Sequence, residues 1–475
     1  MNLDTDICYR AVKSRDQRFD GRFFTGVKTT GIYCRPVCPA VTPLLKNVDF
    51  YPCAAAAEKA GFRPCKRCRP ETSPGTPAWL GTSATVSRAL RYISEGALDD
   101  GSVEDLALRL GMGSRHLTRL FEDHLGATPI AIAQTRRVHF ARNLIEQTDL
   151  PMARIALASG FGSVKRFNVL VKQVFGATPT QLRQRAGTVP ATGNTLVYRL
   201  AYRPPYEWAA LASFLEGRAI PGVELVTPET YRRTIAVNGK SGILEVRPVA
   251  GKDHLLLSVS LQDLDGVISL VSRVRRMFDC SADPAFISDH LAADPLLAPL
   301  VRRRPGLRLP SAWDSFEMTV RAILGQQVSV AAATTISGRL VDRLGTPLAS
   351  PREGLTHLFP CSATVAAADL AGLGLTTRRA QTVKVFAAAV ADGHLVLDAP
   401  LGIEEFAERM VALPGIGPWT AQYVAMRSLG EPDGFPVTDL GLKHASPGVD
   451  LATRSENWRP WRSYAALHLW ASLND

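Results

Sequence analysis

Two close pairs of cysteines constrain this chain more than any other feature. Three residues intervene between Cys34 and Cys38 in TTGIYCRPVC, and two between Cys65 and Cys68 in GFRPCKRC. That is the ligand number and spacing of a closed zinc site: two pairs on separate turns place four soft donors at one tetrahedral point with little loop strain. On spacing alone the default reading is a purely structural zinc knob. The other cysteines do not fit as ligands. Cys8 and Cys53 have no near partner, and Cys280 and Cys361 are expected to fill core.

A chain of 475 residues is too long for one core and implies three or four domains. No run is apolar enough to span a membrane, and MNLDTDICYR lacks the apolar stretch of a signal peptide. The expectation is a cytoplasmic protein of the bacterial cytosol, associated with the nucleoid, whose clustered thiols serve metal or chemistry rather than disulfides. The charge is unevenly shared. Residues 1–187 hold 27 Lys+Arg against 16 Asp+Glu, whereas residues 188–475 hold 28 of each. The basic part is suited to a polyanion. The neutral part must meet one through local patches such as Arg302-Arg303-Arg304 or through backbone amides.

Two Pro/Gly/Thr-rich stretches, Pro70–Pro77 and Gly187–Asn194, read as linkers. Between them Gly126-Ala-Thr-Pro returns fifty residues later as Gly176-Ala-Thr-Pro. Each copy follows two apolar-periodic segments joined by a glycine turn, at Gly111 and at Gly160 to Gly162. Such pairs predict two helix-turn-helix units, connected by one amphipathic helix over Ile130–Gln147. From 196 to 262 the period changes to two, which predicts a small antiparallel sheet with turns at Asn238-Gly239 and Gly251-Lys252. Beyond Leu264 the expectation is helix almost throughout, with Phe316–Leu344, Ala363–Leu370, Arg378–Asp392, Ile403–Leu413 and Trp419–Leu429 as the clearest elements.

TTGIYCRPVCPA with GFRPCKRCRP closely resembles the N-terminal domain of the Ada family of alkylation-response proteins. That resemblance gives the zinc site a task. The first cysteine, here Cys34, takes a methyl group from a DNA phosphotriester and keeps it, so that Cys34 is methyl acceptor as well as ligand with Cys38, Cys65 and Cys68. Four thiolates on one zinc carry a formal −2, and methylation makes it −1, an electrostatic switch for DNA affinity. Arg35, Arg63, Lys66, Arg67 and Arg69 flank the site and are expected to hold phosphates; the plain alternative is a solubilising surface. The family's separate suicide module for alkylated guanine, with its Pro-Cys-His-Arg motif, is absent. Residues 78–186 resemble the AraC-type DNA-binding domain. Its recognition helices would offer Ser114, Arg115, His116 and Arg119, and Ser163, Lys165, Arg166 and Asn168, to the groove.

YRPPYEW, RPGLRLP, FEMTVRAILGQQVSVAAA, LPGIGPWTAQY and WRPWRSYAALHLW together resemble the AlkA-type alkyl-base glycosylases of the helix-hairpin-helix superfamily, over residues 195–475. The resemblance implies that Gly415 and Gly417 of the hairpin present amides to a DNA phosphate. It makes Asp439 the catalytic carboxylate beside C1′ of the sugar; the plain reading of Asp439 is a helix N-cap. Asp433 and Asp450 read as turns. Trp419, Tyr423 and Trp470 would form a π pocket for flipped, cationic bases such as 3-methyladenine, core packing being the alternative. Gln327 stands where the family's wedge is Leu; it fills space but stacks less well. Lyase relatives carry a nucleophilic Lys where Trp419 stands, so the expected reaction is monofunctional N-glycosidic hydrolysis. No iron–sulfur cluster is expected, because no Cys follows Cys361.

The expected fold class is multidomain α+β: an Ada-like zinc domain (1–70), an all-α double helix-turn-helix domain (78–186), a small antiparallel-sheet α+β domain (195–275) and an all-α helix-hairpin-helix glycosylase domain (276–475). Expected partners are one zinc ion per chain, double-stranded DNA as lesion and promoter, and RNA polymerase, with no membrane. Two other readings stay open. One is a transcription regulator whose glycosylase-like module is inactive. The other is a plain glycosylase with a zinc-stabilised DNA anchor.

Overall fold

The computed structural model describes residues 3–74, 84–99, 101–186, 195–261, 266–397 and 403–473. The expected linker Gly187–Asn194 and the end of the first linker, residues 75–77, lie outside them. By contacts the chain divides into two compact units. One comprises Met1–Pro204, Gly251–Arg275 and Cys280–Asp283; the other comprises Pro205–Ala250, Arg276–Asp279 and Pro284–Asp475.

The first unit opens with a four-stranded sheet in the order Val48–Tyr51, Phe24–Val27, Ile32–Cys34, Arg63–Pro64. Its last two strands run parallel, with Tyr33 opposite Pro64. The Cys65 amide continues that ladder to the Tyr33 carbonyl at 3.0 Å. Strand pairing therefore carries both cysteine pairs to one edge. The helix Ala54–Lys59 packs Ala55 and Ala56 into a core shared with Leu117, Phe121, Leu125 and Ala133 of the helical region.

In that region the repeated Gly-Ala-Thr-Pro is a helix stop followed by a helix start. Gly126 (φ +68°) and Gly176 (φ +64°) end the helices Ser114–Leu125 and Val164–Phe175 in the left-handed conformation that glycine adopts without strain. Ala127 and Ala177 are buried. Thr128 then caps the helix Pro129–Gln147, accepting from Ala131 N at 3.2 Å, with proline at its first position. Thr178 and Gln181 cap the last helix reciprocally. The two predicted helix-turn-helix units are present as Val103–Arg109 with Ser114–Leu125, and Met152–Ala158 with Val164–Phe175. The connecting helix is less amphipathic than expected. Its second half buries Arg137, Arg142 and Asn143 as well as Val138, Phe140 and Leu144, because Asp99, Glu71, Glu146 and Tyr198 partner the polar groups. Strands Thr195–Ala201 and His254–Leu261 pair antiparallel in this unit.

The second unit contains the antiparallel strands Glu224–Val226, Tyr231–Val237 and Lys240–Pro248. The last two are joined through Asn238-Gly239, both at positive φ as a two-residue hairpin of this kind needs. The remainder is mainly helical, with two corrections. The expected single element Phe316–Leu344 is two helices, Ser315–Leu324 and Val330–Leu344; the chain leaves helix at Gly325, and Ser329 caps the restart by accepting from Ala332 N at 3.2 Å. A short hairpin, Thr346–Arg352 against Leu355–Leu358, interrupts the helices where none was expected. One hydrophobic cluster, including the stacked pair Phe316 and Phe386, extends to Ile416 and Val424. The hairpin turn at 414–417 is thus tethered to the core by the residue between its two glycines.

Candidate functional site

At the cysteine edge all four Sγ atoms lie within 4.8 Å of one another, with Cys38 and Cys65 4.0 Å apart. Tetrahedral coordination at about 2.3 Å per sulfur needs sulfurs about 3.8 Å apart, so the donor set fits zinc in number, chemistry and spacing. The Arg35 amide donates to Cys68 Sγ at 3.3 Å and the Arg67 amide to Cys65 Sγ at 3.4 Å, both favouring thiolates.

The basic residues around this site do not behave alike. Arg63, Lys66 and Arg67 are exposed. Arg35 is a correction to the expected phosphate contacts. Its guanidinium turns inward, donating from Nε to Asp20 at 2.8 Å and from Nη1 to the Cys68 carbonyl and Thr72 Oγ1, so it braces the site instead of facing solvent. Arg69 is likewise engaged with Glu71 and Glu146. Cys361 corrects another expectation: it is exposed rather than a core filler, whereas Cys8, Cys53 and Cys280 are buried.

Tyr33, next to Cys34, is fully buried, and its hydroxyl lies 2.8 Å from Glu58 Oε1 and 3.2 Å from His139 Nε2. Glu58 also accepts from Thr135 at 2.8 Å. Burial opposes the Glu58 carboxylate, but His139, Thr135 and Tyr33 outweigh it and hold its carboxyl below the usual range. On the recognition helices Arg115, His116, Arg119, Lys165, Arg166 and Asn168 are exposed. Ser163 instead caps its helix, accepting from Arg166 N at 3.2 Å. Sequence reasoning passed over Val164 and Val169, exposed on the second recognition helix and suited to thymine methyl groups.

In the second unit the helices Ile403–Val411 and Pro418–Val424 flank the Pro-Gly-Ile-Gly turn. Gly415 has φ +86°, and a Cβ there would stand 2.0 Å from Thr382 Oγ1, so only glycine fits. Around Gly417 no atom would meet a Cβ within 4 Å, which leaves the turn open to an approaching backbone. Gln326, unnoticed in the sequence, donates to the Gly415 carbonyl and to Thr420 Oγ1, each at 3.1 Å, and pins the turn. Its neighbour Gln327 is exposed at φ +56°, while Val328 and Val330 form the adjoining cavity wall.

Asp439 is an N-cap, as its plain reading held: Oδ1 accepts from Leu442 N at 3.0 Å. It is also more than that. Trp470 Nε1 donates to Oδ1 and Trp419 Nε1 to Oδ2, both at 2.8 Å. Gly441 permits the approach, since a Cβ there would meet Trp470 at 3.1 Å. The carboxylate stands at a cavity of about 820 Å³ that Trp419, Tyr423 and Trp470 also line. Trp419 and Tyr423 stack on each other, centroids 5.2 Å apart and planes 8° from parallel, and Trp470 meets Tyr423 edge-on. The aromatic faces therefore partly serve one another, and the indole N–H groups hold the acid. Asp433 is bound by Arg459 and Arg462, and Asp450 caps a short helix, so neither competes with Asp439.

Four family models match in series: the metal binding domain of Ada over 7–71, a helix-turn-helix domain over 106–185, the AlkA N-terminal domain over 197–314, and the HhH-GPD superfamily of base excision DNA repair proteins over 320–459. A probable bifunctional transcriptional activator/DNA repair enzyme AlkA of Mycobacterium tuberculosis is 43% identical over 100% of this chain and 97% of its own length. The chain belongs to that AlkA family of bifunctional activator and repair proteins. Its two halves also match separate proteins of Escherichia coli strain K12. DNA-3-methyladenine glycosylase 2 is 35% identical over 58% of this chain and 96% of its own length; the bifunctional transcriptional activator/DNA repair enzyme Ada is 35% identical over 38% and 49%. A solved 3-methyladenine DNA-glycosylase from Archaeoglobus fulgidus, 21% identical, covers 57% of this AlkA-family chain and 97% of its own with a TM-score of 0.50, which shows the glycosylase fold. Among the described residues no helix is long and apolar enough to cross a membrane.

Proposed function

We propose that this chain couples detection of DNA methylation to its repair: Cys34 accepts a methyl group from a DNA phosphotriester, residues 78–186 bind promoters of repair genes, and the C-terminal half excises alkylated bases of the 3-methyladenine type. The observation that carries the reading is the Asp439 carboxylate, held by two indole N–H groups at the mouth of an aromatic cavity beside the Pro-Gly-Ile-Gly turn. So fixed, it can stabilise the oxocarbenium-like sugar as the C1′–N bond breaks and orient the water that adds to C1′. No lysine accompanies it at the Trp419 position, which supports simple hydrolysis.

At the other end, the Cys34 sulfur attacks the methyl carbon; the S–C bond forms, the methyl–oxygen bond breaks, and its electron pair stays on the phosphate. One zinc ion per chain, held by Cys34, Cys38, Cys65 and Cys68, would keep the sulfurs deprotonated at neutral pH. Arg63, Lys66 and Arg67 would receive the phosphates, and Gly415 and Gly417 those next to the flipped base. The division at 1–70, 78–186, 195–275 and 276–475, the wedge role of Gln327, a contact with RNA polymerase, a cytoplasmic, nucleoid-associated location and the lack of an iron–sulfur cluster belong to the same reading. The deciding experiment measures free base released from methylated duplex DNA by wild type and Asp439→Asn. Release by the first and not the second supports the reading. Equal release moves the catalytic role elsewhere, and release by neither leaves a regulator with an inactive module.

A further inference from the structure

The loop between the helices Ser315–Leu324 and Val330–Leu344 carries Gln327, exposed and at φ +56°. A left-handed backbone crowds the Cβ of any residue that has one, so it persists only where the surroundings hold it. The residue before it supplies part of that hold. The Gln326 side chain donates from Nε2 to the Gly415 carbonyl and to Thr420 Oγ1, each at 3.1 Å, which occupies both hydrogens of its amide. The Gln326 carbonyl accepts from Arg379 Nη2. Beyond Gln327, Ser329 caps the next helix. The loop is therefore fastened on both flanks of Gln327.

The fastenings lead to two other parts of the site. Gly415 belongs to the Pro-Gly-Ile-Gly turn, which lies directly against Thr382. Thr382 stands one helical turn beyond Arg379 on the helix Thr377–Ala391, so one helix backs both the loop and the turn. Thr420 is buried and directly follows Trp419, whose indole holds Asp439 Oδ2. A single amide thus joins the loop, the turn and the first turn of the helix that positions the acid.

A side chain driven into a duplex must unstack bases, and those bases push back on the loop that carries it. A carboxylate that stabilises a developing cation must be held to a fraction of an ångström. We propose that Gln326 is a positioning residue that makes these two requirements one event: Gln327 seated in the duplex holds the Trp419 end of its helix, and with it the Asp439 carboxylate, through the two hydrogen bonds of the Gln326 amide. The proposal rests on the glycosylase reading and gives Gln326 no contact with base or sugar.

The test is a double-mutant cycle on the full zinc-loaded chain. Single-turnover release of 3-methyladenine from methylated duplex DNA is measured at saturating enzyme for wild type, Gln326→Leu, Gln327→Ala and the double variant. Affinity for undamaged duplex is measured alongside, and an affinity close to wild type marks a folded variant. Each single substitution is expected to slow release about 10-fold, and the double variant about 10-fold as well, because a link with nothing to transmit is no further loss. Thr420→Val keeps the outline of the side chain and deletes one acceptor. Paired with Gln327→Ala it repeats the cycle from the other end of the bond, and it replaces Gln326→Leu should that variant fail to fold. Losses that multiply to about 100-fold in folded variants mean that Gln326 supports the acid independently of the loop, and overturn the proposal. Wild-type speed in Gln326→Leu or in Gln327→Ala overturns it too. Wild type that releases no base defeats the glycosylase reading instead, and the inference falls with it.

Discussion

Trp419 Nε1 donates to Asp439 Oδ2 at 2.8 Å, across twenty residues of chain, and holds the carboxylate oxygen that Trp470 does not. Replacing either indole by phenylalanine keeps a ring and removes that donor. Trp419→Phe and Trp470→Phe are each expected to lower the single-turnover rate about 10-fold, the value of one hydrogen bond to a charged group, while DNA affinity changes little. Rates equal to wild type in both variants would mean that the acid needs no positioning.

The product should be an intact abasic strand. Tryptophan occupies the position where a lyase needs an amine, and an indole cannot form a Schiff base. Borohydride added during turnover should trap no enzyme–DNA adduct; a trapped adduct contradicts the assignment.

Metal analysis of the reduced full-length protein should find one zinc per chain, and Cys34→Ala should abolish methyl uptake from methylated DNA. Methyl transfer should tighten promoter binding more at low salt than at high salt, since it removes one negative charge near phosphates. The same affinity before and after transfer at both salt concentrations would reject the switch and leave repair untouched.

Buried His468 sets a pH dependence in the second unit. Burial, with Arg304 adding, lowers its imidazole to about 4, and its Nδ1 has no hydrogen-bond partner among the described residues. A folded-state value below the unfolded one means stability that is fully present above about pH 6.5 and is lost as pH falls toward 4, by roughly 3 kcal/mol. Asp279 acts in the opposite sense. Burial raises it to about 6, so its contribution is present below about pH 4 and is lost as pH rises to 6. Comparing wild type with His468→Gln isolates the histidine. Urea titration at pH 7 and pH 4.5, followed by tryptophan fluorescence, should show a smaller pH loss in the variant. Six of the seven tryptophans lie beyond residue 204 and report this unit. Parallel losses would assign the effect elsewhere.

Local signals were legible wherever one residue type meets one backbone need. Asn238-Gly239 as a turn could be read directly, and the repeated Gly126-Ala-Thr-Pro marked the end of each helix-turn-helix unit. Asp439 was legible through the motif around it. What the sequence concealed were partners brought together by folding: nothing near Trp470 marks it as a donor to a carboxylate 31 residues earlier. Arg35 read as a surface cation because Asp20, which draws it inward, lies fifteen residues away. The hairpin at 346–358 was hidden by Pro347 and Pro351, which demote a strand pattern. The break after Leu324 was hidden by an apolar period that continues through it.

The buried Tyr33–Glu58–His139 contact, and Ala55 and Ala56 set in one core with Leu117 and Phe121, bear on how this molecule tolerates change. Methyl acceptor and first recognition helix are registered to each other by a common packed interior. One bulky side chain at Ala56 would therefore disturb reading and sensing together, and the small side chains at 55 and 56 belong to both tasks at once.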